Sequence, residues 1–428
     1  MNPRVGVVGS GPSGFYAAQA LLAAGLAVDV LDRLPTPFGL VRAGVAPDHP
    51  RIKSVTRVFD KVAAEPGFRF LGNVEIGRDL TTQDLDACYD AVIYAYGARL
   101  GKLAGVRGEH LSGNTPAADV VGWYNGHPDH VDHVPNLSGR RAIVIGNGNV
   151  ALDVTRMLAS RVDRLETTDM AEPALRVLRS SNVEEIVVLG RRGPAESAFT
   201  HPELLELGSL QGVDVVVDAD LSLEGECSEV VREKLATLRE YAVRPTTPGN
   251  RRIVLKFCSS PVEIVGRDVV EAVRVRHTDG SESLLDASLV VHAVGYTGTP
   301  LEGLPFDLDT GTVPHDRGRV LAGDEPLTGH YVTGWIKRGP NGVIGTNRAC
   351  AVETVHSLLD DVRLGRVPVR SREADVLALL EARAVEVVTY RGWQDIDAHE
   401  QERGRAAGRP RIKLTRVREL VAVAGGQG

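Results

Sequence analysis

The chain has 428 residues, more than one ordinary hydrophobic core organises, so two or three domains are expected. Its 43% hydrophobic and 25% charged residues are globular averages, and a net charge of −7 argues against nucleic acid as the main partner, because phosphate binding needs a basic surface. The four cysteines, Cys88, Cys227, Cys258 and Cys350, show no C-x-x-C spacing, which argues against a disulfide framework, a cysteine-rich zinc or iron–sulfur site, and a relay through neighbouring thiols.

Arg4-Val5-Gly6-Val7-Val8 reads as a buried strand that runs directly into Gly9-Ser10-Gly11-Pro12-Ser13-Gly14. Phe15 to Ala24 reads as a helix, and Ala27 to Leu31 as a second strand ending in Asp32. Strand, glycine turn, helix, strand and an acid about 20 residues on is the full context of a dinucleotide-binding G-x-G-x-x-G. Gly9, Gly11 and Gly14 let backbone N–H groups approach a pyrophosphate at the positive end of the helix. Asp32 suits ribose hydroxyls and repels a 2′-phosphate. The first strand begins so early that no room is left for a signal peptide. No run of about 18 apolar residues occurs, so no membrane span is expected and a cytoplasmic location is the default.

Farther on, Asp90 to Gly97 reads as a strand reaching a glycine at a domain edge, and Ala287 to Tyr296 reads the same way. Between them a second unit opens at Arg141-Ala142-Ile143-Val144-Ile145, followed by Gly146-Asn147-Gly148-Asn149-Val150-Ala151, the G-x-G-x-x-A variant. Its paired strand, Glu185 to Gly190, ends in Arg191-Arg192 where the first unit has an acid. Two guanidinium groups suit a 2′-phosphate, so this site is expected to choose NADP. The long gap between turn and arginines implies an insertion. One site for NADP and one for an adenine dinucleotide with a free ribose implies hydride relay; the second ligand is NAD or FAD, and FAD is the better choice because two nicotinamides on one chain lack a redox task.

Several segments in order resemble the adrenodoxin-reductase family of ferredoxin–NADP reductases. They are Pro37-Phe38-Gly39-Leu40-Val41-Arg42, Gly44-Val45-Ala46-Pro47-Asp48-His49-Pro50, Gly122-Trp123-Tyr124-Asn125-Gly126, Gly146 to Val154, Gly190 to Pro194, and Gly334-Trp335-Ile336-Lys337-Arg338-Gly339-Pro340-Asn341-Gly342-Val343-Ile344-Gly345. The resemblance spans nearly the whole chain. It implies FAD contacts from Ser13, Asp32, Leu40, Ile76, Trp335, Gly342, Val343 and Ile344. It implies NADP contacts from Asn147, Gly148, Asn149 and Val150 at the pyrophosphate, Arg191 and Arg192 at the 2′-phosphate, then Glu203, with Gly342 near the nicotinamide. Asp32 departs from the family's usual glutamate, and Asn147 stands where glutamine is common.

His49, stiffened between prolines, is implied to lie near the flavin as a proton-exchanging or positioning group. Thr200-His201-Pro202-Glu203 reads as a capping box, which explains Glu203 without function, while the resemblance places it beside NADP as an orienting residue. The expected fold is α/β, with two dinucleotide-binding (Rossmann-like) three-layer domains. The FAD domain is expected to be discontinuous over 1–104 and 298–428, with the NADP domain at 105–297. Residues 218–248 read as a helical excursion. Arg403 to Arg418 carries seven Lys/Arg and no acid, and reads as a solvated tail or docking surface, as do Arg232, Lys234 and Arg239. No metal site is read from the sequence.

The function implied is an NADPH-dependent reductase of a small iron–sulfur ferredoxin, acting as a monomer. A Baeyer–Villiger monooxygenase is disfavoured because F-x-G-x-x-x-H is missing around Phe38. A glutamate-synthase-like subunit is disfavoured because its cysteine cluster is missing, and a non-enzymatic NADP sensor is the remaining alternative.

Overall fold

A computed structural model describes residues 3–222, 226–342, 344–367 and 374–426. The first half contributes four parallel strands, β1 (Arg4–Val8), β2 (Ala27–Asp32), β3 (Phe68–Gly72) and β4 (Ala91–Tyr94). The helix Pro12–Ala23 follows β1. It packs Phe15 into an aromatic group with Phe38, Phe59 and Phe68, and lies against the helix Ile344–Arg363 from the end of the chain.

The short strand β5 (Leu100–Gly101) leaves this sheet, and β6 (Asn114–Pro116) leads into the helix Ala117–Asn125. A second parallel set follows: β7 (Arg141–Ile145), β8 (Glu185–Leu189), β9 (Val213–Asp218) and β10 (Arg251–Lys256). The helix Asn149–Ala159 follows β7, and the helices Val162–Leu165 and Glu172–Arg179 form the insertion expected before β8. An antiparallel ribbon of β11 (Ser259–Val265), β12 (Ala272–His277) and β13 (Glu282–Asp286) precedes β14 (Leu289–His292), which returns to the second sheet.

The chain crosses back through β15 (Tyr296–Thr297), and β16 (His315–Asp316), β17 (Arg319–Ala322) and β18 (Glu325–Val332) rejoin the first sheet. Its order is β16-β17-β18-β4-β1-β2-β3, and that of the second sheet is β6-β14-β7-β8-β10-β9. Both sheets are covered on two faces, so their strands are nearly continuous apolar runs: every residue of β4, β8 and β14 is buried. These are two Rossmann-like α/β units. Strand β5 pairs antiparallel with β15, Leu100 opposite Thr297 and Gly101 opposite Tyr296, so both chain crossings between the units run side by side.

The structure corrects three expectations. The strands expected to run to Gly97 and Tyr296 stop at Tyr94 and His292, where the next carbonyl packs against a glycine of the adjoining turn, Ala95 on Gly9 and Ala293 on Gly146. The 218–248 excursion is helical only over Glu229–Val243. The basic run 403–418 is no solvated tail. Arg409 and Lys413 are buried, and Arg409 donates to the carbonyls of Thr168 and Met170 and to Glu172, all in the second unit. Lys413 lies 3.3 Å from Asp169, and Arg411 binds Asp397 and Glu400. Lys234 is likewise buried, donating to the Ser197 carbonyl.

Candidate functional site

The first glycine turn is shaped by its own backbone. Gly9 sits at φ +107°, and a Cβ there would lie 2.6 Å from the Ala95 carbonyl oxygen; a Cβ on Gly14 would lie 1.9 Å from that of Gly9. Gly11 has no described atom within 4 Å of such a position, leaving an open face at the start of the helix Pro12–Ala23. Asp32 ends β2 with Oδ2 accepting from the Ser10 N–H (2.8 Å) and hydroxyl (2.5 Å), and Oδ1 accepting from the Leu34 N–H (2.9 Å). Its carboxylate therefore braces the turn, and any ribose contact shares oxygens that retain further lone pairs.

Leu40 follows Gly39, whose Cβ would lie 3.0 Å from Gly11 Cα, so this segment rides over the turn with Leu40 exposed. Ile76 packs, half-buried, on the cluster containing Val8, Leu31 and Ile336. The late segment closes from the other side. Ser13 Oγ donates to Asn347 Oδ1 (2.9 Å), which also accepts from Arg338 (2.8 Å). A Cβ on Gly334 would lie 2.2 Å from Ser13 Oγ. Trp335 lies 5.7 Å from the Tyr296 ring, and its buried indole Nε1 has no hydrogen-bond partner among the described residues. Gly342 is exposed at φ +85°, Ile344 opens the helix Ile344–Arg363, and Val343 lies outside the described residues.

The second turn repeats the design. Gly146, at φ +113°, would place a Cβ 2.4 Å from the Ala293 oxygen, while Gly148 has no described atom near and precedes the helix Asn149–Ala159. The Asn147 carbonyl accepts from the Phe199 N–H (2.9 Å), and Asn149 Oδ1 accepts from the Thr200 N–H (2.8 Å). Val150 packs against the core beneath the turn. The expected capping box is absent, since Thr200 makes no side-chain cap bond to the helix His201–Leu207 and instead meets Asn149. Arg191 and Arg192 follow β8, both exposed, with Arg192 Nε 3.8 Å from Glu196.

Between the turns lies a polar cluster built across the two units. Arg156, fully buried on the helix Asn149–Ala159, donates to Asp48 (2.8 and 2.9 Å), to Asp153 (2.7 Å) and to Glu203 (3.3 Å). His49 and Glu203 are both here, and His49 Nε2 lies between Glu206 Oε2 at 2.7 Å and Arg156 Nη2 at 3.0 Å. Sequence reasoning missed Glu206; its place three residues after Glu203, on the same helical face, was the available signal. Four carboxylates surround one fixed cation. Burial, reinforced by Asp153, raises the Glu203 carboxyl against the pull of Arg156. Burial likewise raises Asp153, whereas for Asp48 the same burial is outweighed by the hydrogen bonds from Arg156 and its carboxyl lies low.

A cavity of about 470 Å3 is lined among others by Lys102, Gly295, Tyr296, Lys337, Arg338 and Asn341. Burial pushes the Tyr296 phenol up to about 12, so it stands as a neutral O–H near neutral pH. The site thus comprises two open glycine turns, a solvent-facing arginine pair after the second, and a buried carboxylate–arginine cluster that joins the two units.

Residues 7–73 match the family model for an NAD(P)-binding Rossmann-like domain. Over its length the chain is 45% identical to the NADPH-ferredoxin reductase FprA of Mycobacterium leprae, covering 99% of this chain and 98% of that protein. It is 39% identical to the mitochondrial NADPH:adrenodoxin oxidoreductase of Arabidopsis thaliana, covering 98% and 95%. The solved structure of Mycobacterium tuberculosis FprA in complex with NADPH superposes with a TM-score of 0.94 at 44% identity, covering 100% of both chains.

Proposed function

The chain belongs to the adrenodoxin-reductase type of NADPH–ferredoxin reductases, and from that premise we propose that it takes hydride from NADPH onto FAD and delivers electrons to a small iron–sulfur protein. The observation that carries this reading is the presence of two open glycine turns, one backed by Asp32 and one followed by Arg191-Arg192, on two units clasped together by Asp48 and Arg156.

The residues fit both cofactors. The open face at Gly11 and the unpartnered Trp335 indole N–H suit FAD, held by Ser13, Asp32, Leu40, Ile76, Trp335 and the Gly342–Ile344 backbone. The open face at Gly148 and the exposed arginines suit NADP, held by Asn147 to Val150, Arg191 and Arg192. FAD, when bound, converts a two-electron donor into single-electron delivery. The protein's own task is orientation. Asn149 and Asn147 tie the second turn to Phe199 and Thr200, so the nucleotide phosphates and the Glu203 helix move as one piece. His49, whose Nε2 meets both Glu206 and Arg156, is held in place by this cluster, and Glu203 orients the nicotinamide end.

We divide the chain into an FAD domain, 1–104 and 298–428, and an inserted NADP domain, 105–297; the sheet memberships support these limits. The protein acts as a monomer in the cytoplasm; among the described residues no helix is long and apolar enough to cross a membrane. Anaerobic titration tests the reading. The purified protein should be yellow with non-covalent FAD, bleach with one equivalent of NADPH, and recolour on adding an oxidised ferredoxin. A colourless folded protein that takes up no FAD would overturn it.

A further inference from the structure

A second cluster of metal-ligating side chains includes none of the residues that line the cleft. Asp119 stands in the first turn of the helix Ala117–Asn125, whose C-cap Gly126 adopts the left-handed conformation (φ +72°) and sends the chain back as Gly126-His127-Pro128-Asp129-His130-Val131-Asp132-His133. Successive bonds, His130 N–H to the His127 carbonyl (2.9 Å) and His133 N–H to that of His130 (2.9 Å), wind this segment in three-residue turns. That period sets the three imidazoles in a row, edge to face, with ring centroids 5.0 and 5.5 Å apart. The His130 ring rests where a Cβ on Gly122 would be, 2.5 Å from its Cδ2, so the glycine one turn beyond Asp119 is what lets this imidazole reach the helix.

We propose that Asp119, His130 and His133 form a binding site for a zinc ion. Three observations carry it. The two Nδ1 atoms converge on one carboxylate, His130 at 3.3 Å from Oδ1 and His133 at 3.7 Å from Oδ2, and one ligand atom from each residue lies within 4.8 Å of the others. A hydrogen bond would draw such pairs to about 2.7–3.0 Å, whereas the edge of a zinc tetrahedron with ligand bonds of about 2.0–2.1 Å is roughly 3.3 Å. The His130 Nδ1 is also buried with no hydrogen-bond partner among the described residues, so its lone pair or proton is desolvated and unused. His133 is half exposed, which provides access and lets its ring rotate inward. Two imidazoles and a carboxylate suit zinc with a water in the fourth position, and disfavour calcium or magnesium, which take oxygen ligands.

The ion would staple the helix to the segment that follows it. That segment is already held to the other domain by Arg33 on Asp129 and Arg416 on Asp132. The site is separate from the His49, Glu203 and Glu206 group, which also presents a histidine and two carboxylates.

The test uses the tag-free, FAD-loaded protein, stripped with chelator and titrated with zinc chloride by calorimetry, with magnesium chloride as control. One equivalent should bind, and the thermal midpoint should rise by on the order of 2 °C at saturating zinc. His133→Ala and Asp119→Asn, both at partly exposed positions that leave His130 packed, should each weaken zinc binding at least tenfold with an unchanged flavin spectrum. No heat beyond the magnesium control overturns the proposal. So does unchanged affinity in either variant, which would place the ion elsewhere, as at His49.

Discussion

Asp48 and Arg156 meet across the domain boundary, the guanidinium giving the carboxylate two hydrogen bonds of 2.8 and 2.9 Å while fully buried. Arg156→Ala would leave Asp48 and Asp153 without their cation. Breaking such a buried pair costs about 3–5 kcal/mol, so chemical denaturation should show a loss of that order. Arg156→Lys should fall between, since an ammonium cannot form the planar fork. A wild-type midpoint for Arg156→Ala would mean the carboxylates are neutralised at no cost.

Cofactor choice should depend on Arg191 and Arg192. Each phosphate contact is worth roughly 1.5–3 kcal/mol, so replacing either by alanine should reduce kcat/KM for NADPH on the order of 10- to 100-fold. NADH turnover should barely change. Both side chains are exposed, and Arg192 meets only the equally exposed Glu196 at 3.8 Å among the described residues, so the variants should keep the parent's stability. Equal losses with both nucleotides would assign the arginines a structural role.

Acid should loosen the domain interface at Asp169. Burial alone would raise this carboxyl, but Lys413 and Lys53 outweigh it and hold it at about 2, below its ordinary 3.8. A depressed carboxyl contributes stability that is present above its unfolded value and lost as pH falls through the folded one. The window is therefore pH 4 to 2, and the contribution is about 2 kcal/mol. The stability difference between the wild type and Asp169→Asn, measured against pH, should shrink across that window; a constant difference would remove Asp169 as its source.

Ferredoxin reduction should slow with salt while reduction of a small uncharged acceptor stays flat, because an acidic partner meeting a chain of net charge −7 needs a local basic patch. Screening acts over about 8–10 Å. The burial of Arg409, Lys413 and Lys234 removes them from that patch and leaves Arg232, Arg239, Arg403, Arg405, Arg416 and Arg418 as its exposed candidates. Charge reversal within the true patch should mimic high salt for ferredoxin alone. Equal salt effects on both acceptors would point to an apolar interface.

Both glycine turns, the acid and the arginine pair were legible because each is local: strand, turn and next strand lie within one stretch of sequence, and backbone geometry imposes the residue types. What was not legible depends on contacts between distant segments. Nothing within Arg403–Arg418 announces Asp169, Glu172 or the Met170 carbonyl as partners, so a basic run looks solvated until the second unit is set against it. His49 read as a single residue between prolines, and Glu206 became its partner only through the approach of another helix.

The adjacent crossings at β5 and β15 have a mechanical consequence. Two strands passing side by side between two bodies define a single axis, about which one body would swing if nothing else held it. Clasps made from other parts of the chain hold it: Asp48 on Arg156 in one place, and Lys53, Arg409 and Lys413 on the 168–172 segment in another. Swinging open would strand buried charges at both. These clasps therefore oppose a swing of the two units about that axis and hold the two glycine turns in the relation seen in the structure.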